Sequence, residues 1–295
     1  MLDFRVETFL CVCKHMNYTK AAEELNITQP AVSQHIKYLE QYYQAPLFIY
    51  ENKKLHLTSA GKILYNRLET LCNDEKMLKQ EIQTSSSDIS SLSIGVTMTV
   101  GEYALIVPLA EFLKNHPNIN VHIHFGNTQD LLKMMEYGEI NLALVEGYYP
   151  KEEYEHVNYS IEQYVAICAI HHEFKHGTPK RLRDLLGERL LIREKGSGTR
   201  NILERNLEAK GISLSEFVHF TEVENMHTII GLLEKDCGIS FLYRIAAEKQ
   251  IQNQRLKEIK LSDFQMEHEF DFIWEKKSAY SDKFYEICKE LISYK

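Results

Sequence analysis

The sequence predicts an α/β protein with a small helical N-terminal head, one long helix and a larger domain of two α/β sub-domains. Three observations predict it. Short helix signals and a hairpin signal fill residues 2–58. The serine-rich stretch TSSSDISS, residues 84–91, then breaks the composition. Beyond it, strand and helix signals alternate to the end of the chain, the βαβ rhythm of a mainly parallel sheet.

Each element of the head has a local reason. Phe4, Phe9, Leu10 and Cys13 recur at roughly helical spacing over residues 2–15. Asn17, Tyr18 and Thr19 interrupt that helix, and Thr19 is the expected N-cap of a second one through Leu25. After a turn at Asn26 and Ile27 comes TQPAVSQHIKYLE, residues 28–40. Its buried stripe is Val32, Ile36 and Leu39, and Pro30 is tolerated because N–H groups of the first turn have no helical partner. LFIY and LHL flank a polar corner at residues 51–54 and predict a β-hairpin. Thr58 is expected to cap a helix from about 59 to 83, along which Leu64, Leu68, Leu71, Leu78 and Ile82 form a heptad-like seam. Such a seam calls for a partner helix; packing onto its own domain is the alternative.

Composition narrows the function classes. A chain of 295 residues has room for two or three compact units. The longest apolar run, Tyr164–Ile170, falls short of the roughly 18 residues a membrane span needs. The N-terminus lacks the basic and apolar segments of a signal peptide, so a cytoplasmic protein is expected. Six scattered cysteines predict reduced thiols. The net charge of −8 argues against nonspecific coating of nucleic acid. Residues 1–66 nevertheless carry seven Lys or Arg against six Asp or Glu, which leaves room for a small DNA-reading module.

Residues 28–40 point to that module. A short helix, a tight turn and a second helix with an outward polar face is the helix-turn-helix arrangement, whose second helix enters the major groove. Opposite the apolar stripe lie Pro30, Ser33, Gln34 and Lys37, with Thr28, Gln29 and Ala31 at the N-terminal tip. Glutamine can pair with adenine through two hydrogen bonds, serine can donate or accept, and lysine can hold a phosphate. Lys53 and Lys54, at the tip of the hairpin, form a wing that reaches flanking DNA. A merely solvated helix face is the alternative.

AAEELNITQPAVSQHIKYLEQYYQAPLF, followed by LTSAGK, resembles the winged helix-turn-helix of LysR-type transcriptional regulators. The resemblance covers essentially the whole chain. It implies a head over residues 1–58, a linker helix and hinge over 59–90, and an effector domain of periplasmic-binding-protein type over 91–295. Within that domain one sub-domain would comprise 91–161 and 266–295, and the other 162–265. It also implies a homodimer joined through the linker helices, assembled as a homotetramer, on an interrupted inverted repeat of double-stranded DNA near a promoter. RNA polymerase is a further expected partner; no cofactor and no membrane are. One departure stands out: Tyr50 occupies a place where many members carry an arginine.

Two loops carry the chemistry of the larger domain. GVTMTVGEY, residues 95–103, and REKGSGTR, residues 193–200, each run from a strand into a helix. Ligands settle at the carboxyl ends of strands in open α/β sheets, and helix N-termini favour anions. Thr97, Met98, Thr99, Ser197, Gly198 and Thr199 are therefore the candidate binding residues for a small anionic effector, with Glu146, Gly147 and Asn225 as further cleft residues. Glu146 would repel an anion unless neutralised. The two loops also resemble a LysR-type subgroup concerned with sulfur-oxyanion metabolism, including activators of sulfite reductase genes. Thr97 stands where serine is expected there.

Other signals lead nowhere. His122 and His124 share a strand face but have no evident third metal ligand, and His171, His172 and His176 read as a polar loop. The pattern around Ser197 fits neither a nucleophile elbow nor a phosphate-binding loop. An enzyme fused to a DNA-binding head, and an architectural DNA-binding dimer, are the competing classes; no nucleophile–base pair supports the first.

Overall fold

The computed structural model describes residues 3–84, 90–175 and 177–295; residues 85–89 of the serine-rich stretch, and His176, lie outside the described residues. The chain divides into two compact units, Met1–Ser87 with two short later segments, and the remainder.

The first unit contains α1 (Phe4–His15), α2 (Tyr18–Glu24), α3 (Gln29–Tyr43), β1 (Phe48–Glu51), β2 (Lys54–Leu57) and α4 (Ser59–Thr84). The cap of α2 is Asn17, not Thr19: its side-chain oxygen accepts from the backbone N–H groups of Thr19 and Lys20. With Tyr18 as the first helical residue, these are the N2 and N3 donors that an N-cap side chain satisfies. Thr28 caps α3, accepting from Ala31 N at 3.4 Å, and Pro30 sits in the first turn. Phe9, Val12, Val32, Ile36, Leu39, Leu47 and Leu68 meet in one core. Phe4 instead stays 57% exposed, its ring edge-on to His35.

The wing is tied to α3 by one carboxylate. Glu40 Oε1 accepts from the backbone N–H of Leu47 at 2.8 Å, where the chain leaves the helix for β1. The two-residue loop Asn52–Lys53 has φ of 49° and 63°, the left-handed pair of a tight hairpin turn. Thr58 starts α4 as expected, its hydroxyl donating to Pro46 O and accepting from Gly61 N at 3.0 Å.

The second unit contains β3 (Ser90–Thr97), α5 (Met98–Tyr103), α6 (Ile106–Asn115), β4 (Ile119–Gly126), α7 (Thr128–Glu136), β5 (Leu142–Glu146) and β6 (Tyr154–Ala169). It continues with β7 (Arg189–Ile192), α8 (Gly198–Ala209), β8 (His219–Glu222), α9 (Met226–Glu234), β9 (Ile239–Tyr243), α10 (Arg244–Gln252), β10 (Leu256–Glu258), β11 (Met266–Glu275) and α11 (Ser281–Ser293). The described strands join in one sheet of order β4-β3-β5-β11-β6-β9-β7-β8, with β10 beside β6.

This sheet corrects the expectation of mainly parallel strands. Pairs β3·β4, β3·β5, β7·β8 and β7·β9 are parallel, but β11 runs antiparallel to both β5 and β6, and β6 antiparallel to β9. The helical crossovers build each flank; the two long strands β6 and β11 join the flanks, and antiparallel neighbours need no crossover. The expected division at 161/162 falls inside β6. Between Phe270 and Asp271 the register shifts from Ser160 to Asn158, which leaves Tyr159 as an extra residue. That bulge changes the strand's phase, so the consecutive side chains of Tyr159 and Ser160 are both buried.

Gly61 marks the tightest approach in the head: a Cβ there would lie 2.2 Å from the Leu47 carbonyl oxygen. Gly61→Ala should therefore lower the stability of the head by about 1–3 kcal/mol, the usual cost of overpacking. Urea unfolding followed by far-UV dichroism checks it; an unshifted midpoint would show that the contact relaxes freely.

Candidate DNA-reading face and ligand cleft

On α3 the outward residues are in place. Thr28, Gln29, Pro30, Gln34 and Lys37 are exposed, and Ala31 and Ser33 half-buried. Gln29 Nε2 donates to Ser33 Oγ at 2.9 Å, which fixes the glutamine along the first turn. Lys53 and Lys54 are exposed on the wing. An open groove of about 1030 Å³ runs between α2, the start of α3 and the wing. Gln29, Tyr50, Lys53 and Lys54 line it, together with Thr19, His56 and Lys62. Those last three escaped the sequence reading, although Lys62 closes the quoted LTSAGK segment. Tyr50 is 67% exposed and offers a hydroxyl where an arginine was expected.

Cys11 is buried in the first unit. With α1 folded against α2, its sulfur lies within 4.8 Å of ligand-type atoms of His15 and Glu24. Glu24 is already held there by Lys14 Nζ at 2.9 Å and His15 Nε2 at 2.6 Å.

In the second unit β3 delivers Thr97 and Thr99 to one side of a cleft, and β7 delivers Ser197, Gly198 and Thr199 to the other. All five are buried. The three threonine hydroxyls are engaged by the protein itself. Thr97 Oγ1 accepts from the Glu146 backbone N–H at 3.3 Å. Thr199 Oγ1 donates to Glu146 Oε1 at 2.8 Å and lies 3.2 Å from Thr99 Oγ1. Glu146 thus does not rim the opening; it is 2% exposed and fills the hydroxyl pair. Gly198 allows this, since a Cβ there would stand 2.9 Å from the Glu146 carbonyl oxygen, and Gly147, at φ 101°, passes the Gly198 Cα closely.

Two expected cleft residues take other roles. Asn225 caps α9, accepting from Thr228 N at 3.0 Å. Met98 begins α5 half-buried. Among the described residues neither side chain hydrogen-bonds to Glu146.

Five further residues, of which only Arg193 lies in a loop singled out by sequence, gather around the cleft. Arg193 is buried at the end of β7; Nε and Nη2 hold Glu194, and Nη1 makes no hydrogen bond. Tyr164 donates to Thr199 O at 2.9 Å and stacks on Tyr243, 5.2 Å between ring centres. Ser160, Phe270 and Glu146 are cross-strand neighbours in one row, and Phe270 packs on Tyr243. Apart from Arg193, which opens the REKGSGTR loop, only spacing in three dimensions unites these residues, so no local motif could have found them.

Burial pushes the Glu146 carboxyl up to about 7, against the pull of Thr199, Arg193 and Thr99, which favour its charged form. The folded chain therefore keeps a proton that the unfolded chain releases from its ordinary value of 4.5 upward. The corresponding stability is present below 4.5 and is lost as pH rises through about 7, by no more than about 3 kcal/mol. Glu146→Gln should remove that slope from urea-unfolding stabilities measured between about pH 4 and 8. Parallel curves for the two chains would mean that Glu146 stays ionised throughout.

The comparisons with known proteins agree with this architecture. Residues 5–62 match the model of the bacterial regulatory helix-turn-helix protein, lysR family, and residues 86–292 match the LysR substrate binding domain. The chain is similar to the HTH-type transcriptional regulator CysL of Bacillus subtilis, 29% identical over 91% of this chain and 89% of that one. A regulator of Methanocaldococcus jannaschii is 30% identical over 82% of each chain. Among solved structures, full-length LysG of Corynebacterium glutamicum with bound effector Arg superposes with a TM-score of 0.66 at 14% identity, over 99% of both chains. These relatives are transcriptional regulators, which sets the enzyme reading aside. A helix-turn-helix head and a LysR substrate binding domain together account for nearly the whole chain, which belongs to the LysR family of ligand-responsive, DNA-binding transcriptional regulators.

Proposed function

We propose that the protein reads an interrupted inverted repeat through α3 and responds to a small anion, a sulfur oxyanion in the first instance, in the cleft around Thr99 and Thr199. The observation that carries the DNA half is the exposed row Gln29, Gln34 and Lys37 on α3, opening onto the groove shared with the wing. Gln29 and Ser33 read base edges; Lys37, Lys53 and Lys54 hold phosphates. Lys62 and Tyr50 extend the phosphate-facing side of the groove.

The anion half rests on the paired threonine hydroxyls, the start of α8 and the buried Arg193 guanidinium. CysL, whose name belongs to a relative covering most of the chain, favours sulfur metabolism as the context. We assign residues 91–161 and 266–295 to one sub-domain and 162–265 to the other. The site of action is the cytoplasm, with the promoter DNA; among the described residues no helix is long and apolar enough to cross a membrane. RNA polymerase is the partner a promoter-bound regulator would meet.

A homodimer through α4, doubled to a tetramer, completes the reading. Leu68 is buried against the head, but Leu71 and Leu78, further along the same seam, are 51% and 48% exposed. A second α4 would cover them.

Four measurements test these assignments. Gln29→Ala should weaken operator binding by about 1–3 kcal/mol and relax one base position; an equal loss on every DNA sequence would remove it from base reading. Lys53→Ala should reduce the slope of log affinity against log salt by about 1. Leu71→Glu combined with Leu78→Glu should give monomers in sedimentation; an intact oligomer would place the interface elsewhere. For the anion, the melting temperature of the full chain should rise with sulfite and fail to rise in Thr99→Ala and Arg193→Met; a flat response to all small anions would discard that site.

A further inference from the structure

We infer that the cleft selects an oxyanion that still carries a proton, and that Glu146 is the residue that makes the selection. This deepens the small-anion reading and rests on it.

The protein leaves several buried side-chain atoms without hydrogen bonds. Buried in the second unit, Glu146 Oε2, Arg193 Nη1, Tyr243 Oη and Ser160 Oγ each lack a partner. Leaving such an atom unpaired typically costs about 1–3 kcal/mol, more for a charged group. The four belong together: Glu146 and Ser160 stand in one row across β5, β11 and β6 with Phe270 between them, Tyr243 packs on that Phe270, and the Arg193 charge acts on Glu146.

Their chemistry defines a complement. A guanidinium can only donate, and an ionised carboxylate can only accept; hydroxyls do either. A ligand that satisfies the set must bring acceptor oxygens for Arg193 and at least one O–H for Glu146 Oε2. The other carboxylate oxygen is already held by Thr199 at 2.8 Å, so the free one is aimed and not loose. Hydrogenphosphate and hydrogen sulfite meet the requirement. Sulfate has no proton to give and would set an oxygen lone pair against a buried carboxylate.

Phosphate and sulfate are near-equal tetrahedra, which makes them the probes. The full chain is titrated with each at about pH 8.5, where Glu146 is ionised, at constant ionic strength, and binding is read by calorimetry and melting temperature. Phosphate should bind more tightly than sulfate by roughly tenfold to a hundredfold, the range one unpaired buried group commands. In Glu146→Gln the amide can donate to sulfate, so the preference should vanish or reverse. Equal affinity in the unaltered chain would overturn the inference and leave the anion cleft standing. A preference that survives Glu146→Gln would overturn it as well. If neither anion nor sulfite binds, the small-anion reading falls, and this inference with it.

Discussion

The hydrogen bond from Thr199 to Glu146 is the constraint on which the larger domain turns. It joins the end of β5 to the start of α8, and it forms only because Gly147 and Gly198 let the two backbones pass within van der Waals contact. A carboxylate so buried must be neutralised or surrounded by donors, and here Thr199, Arg193 and Thr99 surround it. The anion-binding features of two loops thus converge first on an anion supplied by the chain. Whatever enters the cleft meets a site that is already partly satisfied, and its affinity depends on what the resident carboxylate still lacks.

The head has its own single fastening. Glu40, two turns beyond Ser33 on α3, accepts the backbone N–H of Leu47. This half-buried side chain thus ties the chain entering the wing to the reading helix. Shape complementarity to a duplex depends on the angle between these two elements, and that angle is held by this carboxylate, by Thr58 and by the close passage at Gly61.

Much of this was legible in the sequence, and for definable reasons. The head was readable almost residue by residue because its determinants are local: a stripe at helical period, a proline in a first turn, a threonine before a helix. The cap of α2 was misplaced by two residues because Asn17 and Thr19 are both good caps and only the backbone decides between them. In the larger domain the alternation of elements was clear, but strand direction was not, since β6 and β11 look in sequence like any other strands. The threonines and glycines of the cleft were found through their loops. Arg193 stood in one of those loops without being picked out; Ser160, Tyr164 and Tyr243 were not found, because their meeting depends on a nine-strand sheet and on a bulge at Tyr159 that turns Ser160 inward.

The wing's turn has a consequence for how this chain can change. Asn52 and Lys53 both adopt left-handed backbone angles, and for lysine that conformation is uncomfortable. The residue that would relax it is glycine, which carries no charge. If Lys53 holds a phosphate as proposed, hairpin comfort and phosphate attraction compete at one position: a glycine would relax the turn and give up the charge, and the lysine keeps the charge at the tip of a tense loop.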